Sequence, residues 1–203
     1  AASLLAQLVA DDGRARRARK FIERSWAAAP HPDLRDAYLG LLGADSAPLE
    51  RYKAVETLVR STAEHPESRL TLAHAALDAN LWGEARRQLD ALLADAPTTG
   101  VYRLRARLAE EDEEDTTTPA EWLERAASAE ADSAWVCSDC GTVADDWSAV
   151  CGHCGAFATL GWTQPPRIHR AIGAGAGGLE VTESPDSGAP ETVLPDDQTT
   201  GKA

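Results

Sequence analysis

Cys137, Cys140, Cys151 and Cys154 are the four cysteines of this 203-residue chain. They fall as two Cys-x-x-Cys pairs, Cys-Ser-Asp-Cys-Gly and Cys-Gly-His-Cys-Gly, with residues 141–150 between them. One Cys-x-x-Cys turn brings two thiolates within reach of a single metal ion, and a second turn completes a tetrahedral set of four sulfurs. The chemistry this predicts is binding of one Zn or Fe ion, with sulfur at about 2.3 Å in the zinc case. The glycines that follow each pair, Gly141 and Gly155, admit the positive φ that turns backbone N–H groups toward sulfur. Two disulfides in an exported protein are the alternative. Disulfide frameworks rarely pair as two close Cys-x-x-Cys turns, so the metal reading is preferred. His153 sits inside the second pair and reads as exposed, because four thiolates already fill the shell.

No second constellation of this kind stands out. His65 and His74 have no serine or cysteine nucleophile near them in a plausible site, His31 lies between prolines, and His169 falls in the tail. The glycine-rich stretch 173–178 lacks the Lys-Ser/Thr of a phosphate-binding loop. The expectation is therefore a protein without catalytic or organic-cofactor residues. The formal net charge of −13 argues against nucleic acid and anionic lipid as partners, since both are polyanions. No stretch approaches the roughly 20 apolar residues that span a bilayer. The chain contains no methionine, which suggests a piece of a longer protein with any membrane anchor upstream.

The elements that must carry the cysteines are mostly helical. Alanine-rich composition with few aromatics favours close-packed helices. Residues 1–10 place Leu4, Leu5, Leu8 and Val9 at helical spacing, which reads as an amphipathic helix and not as a signal peptide. Further helices are predicted over 14–28, 33–42, from Pro48 to before Pro66, 68–80, from Ala85 toward Pro97, and 101–110, with 81–83 as a turn. Thr118-Pro119-Ala120-Glu121 is a capping box with proline at the first helical position, and Trp122, Leu123 and Ala126 are expected inward. Residues 110–115 form an acidic, solvated run.

These helices repeat. Ala18, Ile22 and Pro30 align with Ala54, Leu58 and Pro66, and with Ala85, Leu89 and Pro97; Ala120 continues the series. The alanine intervals bracket the tetratricopeptide period of about 34 residues. The predicted fold class is all-α, with tetratricopeptide-like repeats over 1–132, a small four-cysteine β module of rubredoxin-like or zinc-ribbon type over 133–162, and a disordered tail over 163–203. In the module, short strands are expected at 142–143, 147–150 and 156–160. So small a module needs metal and docking for stability. Trp135, Trp147, Phe157 and Trp162 are the packing residues expected to seat it on the last helix pair.

Repeats followed by two Cys-x-x-Cys-Gly knuckles resemble the lipopolysaccharide assembly protein B (LapB) family, whose module is called rubredoxin-like. Leu-Trp-Gly-Glu-Ala-Arg at 81–86 and Ser-Ala-Trp-Val-Cys-Ser-Asp-Cys-Gly at 133–141 are similar to alphaproteobacterial HemY proteins. Both resemblances imply an N-terminal membrane anchor with repeats on the cytoplasmic side of the inner membrane. The LapB resemblance implies an adaptor in control of lipopolysaccharide synthesis, and the HemY resemblance a link to haem and porphyrin metabolism. With no catalytic constellation in the sequence, the expectation is a non-enzymatic adaptor that holds a protein partner in its repeat groove. The basic, aromatic character of the LapB module is not matched at Ala144-Asp145-Asp146. A rubredoxin-like iron centre for electron transfer is the alternative, and salt-dependent DNA binding would mark a zinc-ribbon nucleic-acid binder.

Overall fold

The computed structural model describes residues 2–43, 45–95, 97–111 and 116–166. Among them are eight α-helices: α1 (Ala2–Asp11), α2 (Ala15–Ala28), α3 (Pro32–Gly40), α4 (Pro48–Val59), α5 (Pro66–Asp78), α6 (Trp82–Asp95), α7 (Thr99–Glu111) and α8 (Pro119–Ser128). Three short strands follow: β1 (Ala134–Cys137), β2 (Val143–Ala144) and β3 (Leu160–Thr163). Neighbouring helices pack in sequence, most extensively α1 on α2, α5 on α6 and α7 on α8, with α4 joined to α5.

The helix starts are written locally. Pro32 and Pro66 stand at the first turn of α3 and α5, where a missing N–H costs nothing. The preceding histidines cap: His31 Nδ1 accepts from the Asp33 N–H at 3.2 Å, and His65 Nδ1 from the Glu67 N–H at 3.1 Å. The capping box at Thr118 and Glu121 is present in both directions. Pro66 thus opens α5 rather than only closing what precedes it, and α5 starts before residue 68. Trp82 and Gly83 lie inside the first turn of α6, not in a free-standing turn.

The apolar stripes meet in one core. Ile22, Leu58 and Leu89, the aligned large residues, are all buried, and so are Ala18 and Ala85. Ala120 is exposed, so the fourth unit does not follow the same small-residue pattern. Trp26 is fully buried, and its indole N–H is offered to Thr62 Oγ1 at 3.0 Å and Ser68 Oγ at 3.3 Å, which removes the cost of an unpaired donor in the core. The first helix departs from its expected packing: Leu4, Leu5 and Leu8 are exposed and Ala6 is the buried residue. Leu123 is exposed too, while Trp122 and Ala126 are buried.

The small sheet has the order β2-β1-β3, antiparallel throughout. Its central strand is the segment before the first knuckle, pairing Trp135 with Ala144 and Trp162. The strand expected at 156–160 is displaced to Leu160–Thr163, because Ala158 takes φ +56 and breaks the extended run. The strand expected at 147–150 reduces to one bridge, Val150 to Phe157. Thr163 pairs with Ala134, so the ribbon runs one residue past the expected boundary at 162. The rest of the expected tail, from residue 167, lies outside the described residues, as do 112–115 of the acidic run.

Candidate metal centre

The two knuckles fold by one repeated set of backbone bonds. The Gly141 N–H donates to the Cys137 carbonyl, and the Gly155 N–H to the Cys151 carbonyl, each at 2.9 Å. The Cys137 N–H donates to Thr142 and the Cys151 N–H to Ala156, at 3.0 and 2.9 Å. Closing each turn requires the left-handed region at its last residue, and Gly141 and Gly155 adopt φ +71 and +75. The Ser138 N–H donates to Thr159 and ties the first turn to the segment after the second, and the Ala158 N–H donates to Ala149 across the base of the second turn.

This places all four Sγ atoms within 4.8 Å of one another. Cys137 and Cys154 are 3.8 Å apart, and so are Cys140 and Cys151. None of the four is in a disulfide. A tetrahedron whose centre lies about 2.3 Å from each corner has an edge of about 3.8 Å, so the spacing fits a zinc- or iron-sized ion held by four thiolates. Cys137 and Cys151 are buried, whereas Cys140 and Cys154 lie toward the surface.

The environment favours thiolate on one side of the cluster and resists it on the other. The hydroxyl and then the backbone N–H of Thr142 lower Cys140 to about 5, with His153 also contributing a hydrogen bond. Cys137 is lowered, first by the Thr159 hydroxyl 3.1 Å away and then by the Cys140 backbone N–H. At Cys154 the Ala156 N–H acts to lower the pKa, but desolvation and three neighbouring thiols outweigh it and push it up to about 12. Four sulfurs this close repel as anions, and a bound cation would relieve that repulsion. Four protein sulfurs would close the shell and leave no open coordination position. Thr142, Thr159 and His153 are partners of the sulfurs that the cysteine spacing alone does not reveal. His153 is exposed, as expected, yet touches Cys140.

The ribbon seats on the helices through aromatic rings, but not where expected. The His31 ring packs tilted against Trp162 at 4.4 Å and against Trp135 at 5.1 Å, and the two indoles meet edge-on at 5.3 Å. The ribbon therefore rests on the N-terminus of α3. Trp122 of the last helix pair is occupied instead by Tyr102 and by the guanidinium groups of Arg105 and Arg125. Phe157 and Trp147 are exposed instead of being seated on the helices as expected. The linker from α8 makes a second anchor: the Thr99 N–H donates to the Glu130 carbonyl at 2.7 Å, and the Gly100 N–H to Asp132 Oδ1 at 3.1 Å. A Cβ at Gly100 would lie 2.7 Å from that carboxylate, so a larger residue there would push the Asp132 side chain off its bond.

Two of the concavities among the described residues are lined in part by α3. A cleft of about 260 Å³ lies where Trp162 and Asp132 come against Pro32, Arg35 and Glu67. Burial raises Glu67 to about 7; Arg35 opposes that, and Asp132 and Asp36 add to it. A groove of about 290 Å³ is lined by Arg35, Asp36, Arg51, Thr71, His74 and Asp78 from α3, α4 and α5. His74 lines this groove, and burial, first among the causes, lowers its pKa.

No protein-family model matches the chain, and no solved structure matches it. Among curated proteins, the Probable magnetosome protein Mms48 of Magnetospirillum gryphiswaldense is 32% identical over 162 residues. The match covers 79% of this chain and 36% of that protein, so the chain spans about a third of its relative's length.

Proposed function

We propose that this chain is a non-enzymatic adaptor. Tetratricopeptide-like repeats over 1–132 offer the groove beside His74 to a protein partner. The ribbon over 133–162, holding one Zn or Fe ion through Cys137, Cys140, Cys151 and Cys154, braces the edge of those repeats. The observation that carries this reading is the packing of His31 on Trp135 and Trp162, because it couples the cysteine ribbon to the helices that form the groove. The repeat assignment is supported by the identical caps His31-Pro32 and His65-Pro66, which stand one tetratricopeptide period of about 34 residues apart. A closed sulfur shell suits a structural ion better than a catalytic one.

By the resemblances to HemY and LapB proteins, the proposed setting of such an adaptor is the cytoplasmic side of a bacterial inner membrane, in porphyrin metabolism or in control of lipopolysaccharide synthesis. The name of the Mms48 relative adds the magnetosome as a setting. Among the described residues no helix is long and apolar enough to cross a membrane, so an anchor would lie elsewhere. The test is affinity capture with the intact protein from its source, beside an Arg51→Ala/His74→Ala variant. One protein retained by the parent and lost by the variant supports the groove. Equal recovery by both, or saturable turnover of a porphyrin or lipid A precursor, contradicts the adaptor.

Electron transfer by an iron-loaded ribbon is the second reading. It is favoured by Cys140 and Cys154 facing the surface, where an electron could enter. A reversible redox wave from the iron-loaded protein, matched by electron exchange with a redox partner, would favour it over the structural role.

A further inference from the structure

The outer end of the ribbon carries an apolar face that the helices do not cover. Phe157 is 74% exposed, Val150 50% and Trp147 48%. Val150 and Phe157 are bridged antiparallel partners, so their side chains are neighbours on one face. Trp147 lies three residues before Val150, and the exposed Asp145 and Asp146 precede it directly. Leaving these large side chains exposed forgoes part of the burial they could contribute, and a small ribbon has little other core to offset it. Among carboxylate, guanidinium and ammonium groups, the ribbon's own segment carries one sign of charge. No lysine or arginine occurs between Ala126 and Pro166, whereas Asp139, Asp145 and Asp146 do. Four thiolates around a divalent ion add a net charge of about −2 to the same end.

We infer that this end of the ribbon is a docking surface for a basic amphipathic segment of another protein. One apolar side chain of that segment would sit on Val150 and Phe157, with flanking lysines or arginines facing Asp145 and Asp146. The sign of the charge selects this occupant: an anionic lipid surface or a second copy of the same acidic ribbon would meet like charge. The inference rests on the adaptor reading in taking a protein as the ligand. The two fail separately, since the capture experiment reads the groove and the titration below reads the ribbon end.

The test titrates the zinc-loaded full chain with a synthetic helical peptide carrying leucines on one face and lysines beside them. The control peptide has the same composition with its leucines scattered around the helix. The amphipathic peptide should bind about tenfold more tightly than the scattered one. Phe157→Ser with Val150→Ser should lose about that factor. Asp145→Asn with Asp146→Asn should weaken binding about threefold and flatten its salt dependence. Unchanged zinc content confirms that the variants keep the ribbon; a variant that loses zinc is replaced by Phe157→Ser alone, with the same expectation. Equal binding of the two peptides, or indifference to these substitutions, overturns the proposal. So does capture of anionic vesicles in place of the peptide, or a zinc-loaded dimer that Phe157→Ser dissociates.

Discussion

The rings of His31 and Trp162 pack against one another at a tilt of 56°, with centroids 4.4 Å apart, joining the start of α3 to the last strand of the cysteine ribbon. The contact turns a small metal-binding appendage into a brace across the edge of a helical array. His31 has a second duty there, because its Nδ1 caps α3.

The substitution that separates those duties is His31→Asn. Asparagine keeps a capping acceptor but removes the ring. The expected loss is about 1 kcal/mol of stability, from the aromatic contacts and the area they bury. Chemical denaturation measures it, while metal content should stay at one ion per chain. A stability equal to the parent's would show that the contact contributes nothing.

Asp132→Ala removes the acceptor of the Gly100 N–H at the start of α7. The cost should be about 0.5–2 kcal/mol, the range for lost N-terminal caps. Amide exchange at Gly100 and Val101 should speed up before that of Leu104 and Leu108 deeper in the helix. Uniform exchange along α7 would show that this carboxylate is not an anchor.

Glu67 is raised from 4.5 to about 7, first by burial. A carboxyl raised on folding favours the protonated native state, so its contribution to stability is full below about 4.5 and is lost as pH climbs through 7. Glu67→Gln removes that dependence. The variant should match the parent at pH 4 and exceed it at pH 8 by on the order of 3 kcal/mol. Urea titrations at both pH values test this, and a pH-independent difference would contradict it.

The helices and the cysteine cluster were legible in the sequence because both are local signals. Proline and capping residues mark α3, α4 and α8, and spacing alone assembles the four sulfurs. The seat of the ribbon was not legible. Nothing in the pattern near Trp135 or Trp162 names His31 as a partner, since that contact joins distant parts of the chain. Phe157 was misread for the opposite reason. An aromatic in a short metal module reads as core, yet Ala158 turns the backbone at φ +56 and the ring faces out. Leu4, Leu5 and Leu8 show the same limit: helical spacing identifies a stripe without saying what covers it.

Hydrogen exchange with and without a chelator tests the brace most directly. Metal and folding are one event in so small a ribbon, whereas the helix pairs have their own contacts. On metal removal, or in Cys137→Ser or Cys151→Ser, protection should fall across 134–163 and also at Leu34 and Arg35, behind the His31 contact. Leu77 and Leu89 in the helical core should keep theirs. If protection at the start of α3 is unchanged while Trp122 and Leu123 loosen, the ribbon sits on the last helix pair and the account is wrong. If metal content is unchanged in both cysteine variants, the four-thiolate site itself is wrong.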